Sequence, residues 1–122
     1  MSVNPQDIHV GTILHTSWGY DMTINNFCIV LDVGKTLKCQ MIGTKWIQGS
    51  QQSGEGSVVP NPNDAYGKPF RLHIRKWKDK YSGKERTSLI GSYPYVKGSE
   101  EKQKGYWGIH EEGKSYAENH LD

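Results

Sequence analysis

The run Phe27-Cys28-Ile29-Val30-Leu31 constrains this chain more than any other. Five consecutive apolar residues mark a strand buried on both faces, central in a sheet rather than at its edge. Its neighbours follow from the pattern on either side. Val10 to Thr16 reads as a first strand and Asn26 to Val33 as a second. Gly34-Lys35 then interrupts, and residues 36–42 alternate polar with apolar, as a hairpin partner with one wet face would. The second and third strands are expected to pair antiparallel.

The chain has 122 residues, which fits one domain with a core of its own, without metal or disulfide staples. Aliphatic residues are sparse, and four Trp and seven Tyr supply much of the area that can be buried. Large aromatics suit sheets better than thin helical bundles. Cys28 and Cys39 both lie inside apolar strand-like runs, where buried free thiols are the ordinary outcome. A hairpin would bring the two close, so a disulfide remains the alternative. Residues 1–9 lack the basic and apolar regions of a secretory leader, and no run reaches the roughly 18 apolar residues that span a bilayer. The expected location is the cytoplasm of a bacterial cell, where thiols stay reduced.

Two segments look irregular. From Gly43 to Lys68 the chain is rich in Gly, Ser, Gln, Asn and Pro, and is expected to be a long functional flap or a disordered insertion. Residues 111–122 are polar and acidic, with Tyr116, Ala117 and Leu121 as anchors, and read as a frayed tail or one short helix. Between them, residues 92–96 suggest a short edge strand, residues 97–104 a charged loop and residues 105–110 a last strand that packs Trp107 and Ile109.

The clearest chemistry lies in Pro69-Phe70-Arg71-Leu72-His73-Ile74-Arg75-Lys76-Trp77. Alternation puts Phe70, Leu72 and Ile74 on a core face and Arg71, His73, Arg75 and Trp77 on the other. Residues 68–86 hold eight Lys or Arg against Asp79 and Glu85, although the whole chain carries a formal net charge of only +2. Residues 79–84 read as the connection of a basic hairpin, with residues 85–92 as its return strand. Lys76, Lys78, Lys80 and Lys84 extend the charge, and Trp77 and Tyr81 interleave aromatic faces. Cations neutralise phosphates and aromatic faces stack on unpaired bases, so this ribbon is the candidate nucleic-acid surface. Lysines that merely guard a protruding edge would give the same composition, and the pI of about 8.5 is modest for a dedicated binder.

A second candidate surface is the stretch Ser17-Trp18-Gly19-Tyr20-Asp21-Met22-Thr23. Ser17, Trp18, Tyr20, Asp21 and Thr23 form a dense aromatic and polar loop, and Trp and Tyr dominate protein interfaces. Structural roles are equally available. Asp21 and Thr23 can close an Asx-type turn, Gly19 permits a positive φ, and Trp18 or Tyr20 can lid one end of the fold.

Catalytic chemistry finds little support. His15, Ser17 and Asp21 have the residue types of a triad, but no nucleophile elbow or other signature surrounds them. The five histidines lack metal-ligand spacing, and Gly34-Lys35-Thr36 lacks the upstream glycine of a phosphate loop. No enzyme activity, cofactor or metal is expected.

The blocks Gly11-Thr12-Ile13-Leu14-His15-Thr16-Ser17-Trp18-Gly19-Tyr20-Asp21-Met22-Thr23, Asn26-Phe27 and Gly34-Lys35-Thr36, with Gly67-Lys68-Pro69-Phe70-Arg71 and Ile90-Gly91-Ser92-Tyr93, resemble an uncharacterised group of small phage and plasmid proteins. That group pairs a Trp-Gly-Tyr-Asp-x-Thr loop with a Gly-Lys-Thr hairpin. The resemblance implies a mobile-element setting and no specific activity.

Together these features predict a single mainly-β domain, a small bent antiparallel sheet or SH3-like barrel of five or six strands with a long loop and a short tail. The expected function is non-catalytic nucleic-acid binding through Arg71, His73, Arg75, Lys76, Trp77, Lys78, Lys80 and Lys84. The alternative is a host-takeover or anti-defence inhibitor that grips a host protein through the Trp18 and Tyr20 loop. Pairing of two copies through an exposed edge is compatible with either, and no membrane partner is expected.

Overall fold

Each apolar run pairs with the next, and the series closes on itself. A computed structural model describes residues 3–19, 22–50 and 52–120. After a 3-10 turn at Pro5–Asp7 come seven strands: β1 (Ile13–Trp18), β2 (Ile24–Val33), β3 (Thr36–Ser50), β4 (Glu55–Lys78), β5 (Glu85–Pro94), β6 (Lys102–Ile109) and β7 (Tyr116–Asn119). All pairings are antiparallel. The hydrogen-bonded order β3-β2-β1-β6-β5-β4 returns to β3 through the β3–β4 ladder, so six strands form a ring. The mainly-β antiparallel architecture anticipated from the sequence is the one present, with β2 between β1 and β3; its apolar run is buried or half-buried from Phe27 to Val30, but Leu31, expected to be buried with it, is exposed where the strand leaves the core. Among the described residues no helix is long and apolar enough to cross a membrane.

Alternation along β2 serves two cores. Cys28 and Val30 face the inside of the ring with Leu14, Leu37, Met41 and Leu72, around the clustered aromatics Phe70, Tyr93 and Trp107. Tyr93 and Trp107 meet edge to face with centroids 4.9 Å apart. Phe27 belongs to a second cluster with Ile42 and Val58, sealed by Ile13, Ile29, Trp46 and Tyr116. Ile8 closes the first core, and Val3 N–H bonds to the Thr87 carbonyl.

Two expectations are corrected here. The segment 43–68, expected as a flap without secondary structure, lies mostly in strands. Residues 43–50 pair with residues 55–61 as the distal half of the β3–β4 hairpin. The hydrophobic period is lost there because the register slips between Ile42 and Gly43 and again between Trp46 and Gln48. Residues 62–64, with Pro62, fall in the first slip, between Gly43↔Asn61 and Ile42↔Ala65. Gly43 leaves room for Asp64 at that bend, since a Cβ there would sit 2.1 Å from Asp64 Oδ2 and push that carboxylate aside.

The tail is likewise neither frayed nor helical over its described part. Residues 116–119 form β7, which pairs with residues 55–58 of β4. A bridge between Thr23 and Asn119 ties β7 to the start of β2 through two backbone hydrogen bonds of 2.8 and 2.9 Å. Smaller shifts concern boundaries. Ser17 and Trp18 belong to β1 rather than to a loop, residues 92–94 continue β5, and β6 begins at Lys102 inside the expected charged loop. Cys28 and Cys39 are both free and buried. They sit diagonally across β2 and β3, and burial, with the neighbouring Cys39 thiol adding to it, holds the Cys28 thiol well above its ordinary pKa.

Candidate functional site

The outer face of β3 to β6 gathers the cations. Along β4, Phe70 and Leu72 are buried, while Arg71, His73, Arg75 and Trp77 are exposed, as the alternation requires. The ladder register then adds neighbours that linear sequence does not reveal. Lys38 of β3 lies opposite Arg71, and Thr36 lies opposite His73 and accepts a 3.0 Å hydrogen bond from Arg71 Nη1. On the other side Arg86 pairs with Trp77 and Ser88 with Arg75, and β6 contributes Lys104 opposite Ser92 and Tyr106 opposite Ile90.

Trp77 is held in place rather than loose. Its indole N–H donates to Ser88 Oγ at 3.2 Å, and 47% of the residue remains exposed. Tyr106, 56% exposed, is the second aromatic surface on this face. Their backbone positions are offset by four residues along β5, about 13 Å, and by two strand spacings, about 10 Å. Lys38 opposite Arg71 is a pairing of like charges, which costs a sheet stability when no ligand screens it. Among the described residues the only ion pair on this face joins Arg86 to Asp79 at 3.4 Å.

The hairpin beyond the core carries the rest of the predicted basic set. Lys76 and Lys78 fall on the opposite face of β4 from Arg75 and Trp77, both exposed because the hairpin projects past the ring. Lys80 and Lys84 sit in the connection, with Tyr81 fully exposed at its tip. Asp79 organises this turn, accepting the Tyr81 N–H at 2.8 Å, and these bonds hold its carboxyl below the usual range. The structure therefore brings Arg71, His73, Arg75 and Trp77 together on one surface and displays the four lysines around its margin.

A second site lies at one end of the ring. Trp18, Trp46, Tyr66 and Tyr95 wall a mouth of about 450 Å³. Buried polar residues concentrate here, with Asn25, Asn26 and Glu118 lining it and Thr16 lining the adjoining depression. Trp18 donates to Asn26 Oδ1 at 2.5 Å and meets Tyr95 edge-on with centroids 5.3 Å apart. Burial, reinforced by the nearby Asp64 carboxylate, pushes the Tyr66 hydroxyl up to about 12. The polar and charged side chains of the mouth bond one another. Lys97 holds both Asp64 oxygens at 2.8 and 3.0 Å, and His120 Nε2 lies 2.9 Å from Glu118 Oε2.

Glu118 is the least expected member, since a carboxylate only 4% exposed must be fully bonded. Its Oε1 accepts the Asn25 backbone N–H at 2.9 Å and the Asn25 side-chain amide at 3.4 Å. Asn25 also donates to the Ala117 carbonyl at 2.8 Å, and its Oδ1 accepts from His15 Nε2 at 2.7 Å. One asparagine thus joins β1, β2 and β7.

Of the second predicted surface, Trp18 acts as the lid of the ring end, Ser17 and Thr23 are exposed, and Tyr20 and Asp21 lie outside the described residues. Gly19 has φ 131°, and a Cβ on it would press into the Met22 carbonyl, so the turn demands glycine. Sequence reasoning missed Lys38, Lys104 and Tyr106, whose role depends on register, and Trp46, Tyr66, Tyr95 and Glu118, which chain topology gathers from β3, β4, the segment just after β5 and β7. The one available signal was their residue type: aromatics placed in polar segments where no core was expected. Comparison with family models, with curated proteins and with solved structures gave no match for this chain.

Proposed function

We propose that this protein is a non-catalytic nucleic-acid-binding accessory protein of a mobile element, and that the outer face of β3 to β6 is its binding surface. The observation that carries the reading is Arg71, His73, Arg75 and Trp77 aligned on one exposed face with Lys38, Lys104 and Tyr106 brought beside them by register. Phosphates neutralise the cations, including the like-charged Lys38 and Arg71 pair, and bases stack on the two exposed rings for about 1–3 kcal/mol each. The pinned indole of Trp77 offers a stacking surface at little entropic cost. Lys76, Lys78, Lys80 and Lys84 widen the field around the hairpin and steer the approach of an anionic strand.

The test is a titration of Arg71→Ala/Arg75→Ala against the natural sequence with a single-stranded oligonucleotide over a range of salt. The double variant should bind more weakly across sequences, with a salt slope shallower by about 1.4 for two lost contacts. Unchanged affinity and slope would remove this face from the mechanism.

A further inference from the structure

The mouth at the ring end and the edge of the basic face share Trp18 as a wall. Trp18 walls the mouth on one side, and on the other it walls a depression of about 370 Å³ that Lys104 and Tyr106 also line. The depression exists because the β1–β6 ladder is short. It pairs only Leu14 with Ile109 and His15 with Gly108, while β1 continues to Trp18 and β6 starts at Lys102. The strands part there, and Thr16 Oγ donates to the Tyr106 carbonyl at 2.7 Å in the gap.

Charge divides this path into two kinds of surface. On the face, Arg71, Arg75, Lys38 and Lys104 have no ion-pair partner among the described residues. In the mouth, Lys97 is paired with Asp64, and His120 hydrogen-bonds Glu118. A phosphate entering the mouth would meet the carboxylates of Asp64 and Glu118, with Lys97 already held by Asp64. A neutral, flat group would meet the walls of Trp18, Trp46, Tyr66 and Tyr95 instead. The volume lies within the ~300–1,000 Å³ typical of small-molecule pockets.

We infer that the mouth receives one unpaired, terminal base of a single strand whose phosphates run along the basic face past Tyr106 and Lys104, a step that rests on the proposed nucleic-acid function. Duplex ends are disfavoured by this arrangement, since a paired base leaves its stack only at an unstacking cost. Trp18 is then the shared wall between strand track and base pocket, and its bond to Asn26 fixes the indole at the entrance.

The experiment uses the whole protein and an eight-nucleotide oligothymidylate, intact or with the base removed from the first, a middle or the last nucleotide. Loss of one terminal base should weaken binding about 5- to 150-fold, the equivalent of one stacked base. In Trp18→Ala the intact strand and that end-abasic strand should bind alike, whereas in Trp77→Ala the penalty should persist. If Trp18→Ala does not fold, the natural protein answers with 2-aminopurine at the same terminus, which should be shielded from acrylamide quenching when bound. Salt-dependent binding indifferent to either terminal base, or an end penalty unchanged in Trp18→Ala, would overturn the base pocket and leave the basic face standing. Absence of any binding at low salt would overturn both.

Discussion

His15 lies against Tyr116 with ring centroids 3.7 Å apart and planes 23° from parallel. Burial lowers the His15 pKa below its ordinary 6.5, and nearby His110 and Lys114 push the same way against the bond to Asn25. The Oδ1 of Asn25 only accepts, so the bond requires Nε2 to carry the proton in the neutral ring. Below pH 6.5 the unfolded chain binds a proton that the folded chain resists. Stability is therefore complete above that pH and is lost as pH falls toward the depressed folded value. The melting temperature should drop between pH 7.5 and 5.5, and less steeply in His15→Phe, which keeps a ring on Tyr116 without the titration. Equal slopes would assign the dependence elsewhere, with His110, whose pKa burial also lowers, the next group to substitute.

Glu118 is what docks β7. Removing its carboxylate in Glu118→Ala leaves the Asn25 N–H, in a residue 3% exposed, without its acceptor. The expected loss is about 1–3 kcal/mol, with Glu118→Gln losing less because an amide oxygen can still accept. Urea unfolding measures both, and hydrogen exchange at Asn119 and Thr23 should accelerate in Glu118→Ala first, since those amides form the bridge to β2. A loss below about 0.5 kcal/mol would mean that β7 is held by its ladder alone.

The legible part of this molecule is local. Phe27 to Val30 announced a strand covered on both faces, although Leu31 at the end of that run is exposed, and the Arg71 to Trp77 alternation placed a basic face, because each is a property of consecutive residues. The arm at 43–50 and 55–61 was illegible for the opposite reason. Its two register slips break the period, and its backbone is held by the β3–β4 ladder and, over residues 55–58, by pairing to β7 far along the chain, with Trp46 and Val58 packing into the second cluster. Glu118 illustrates the same limit at the site. An isolated acidic residue in a polar tail carries no sign that Asn25 will enclose it.

Trp107 sits at the centre of the inner core, fully buried, with Phe70 and Tyr93 around it, yet its indole Nε1 has no hydrogen-bond partner among the described residues. Two effects oppose each other at this position. Replacement by a smaller side chain opens a cavity, which for Trp→Ala costs about 3–5 kcal/mol. Losing the indole N–H also relieves an unsatisfied buried donor, a penalty of about 1–3 kcal/mol. Trp107→Phe gains the second effect while limiting the first, so it should cost under about 2 kcal/mol and clearly less than Trp107→Ala, by urea unfolding with an unchanged m-value. If Trp107→Phe proves as costly as Trp107→Ala, indole volume outweighs the orphaned donor, and the packing of Phe70 and Tyr93 on the full double ring is what this core requires.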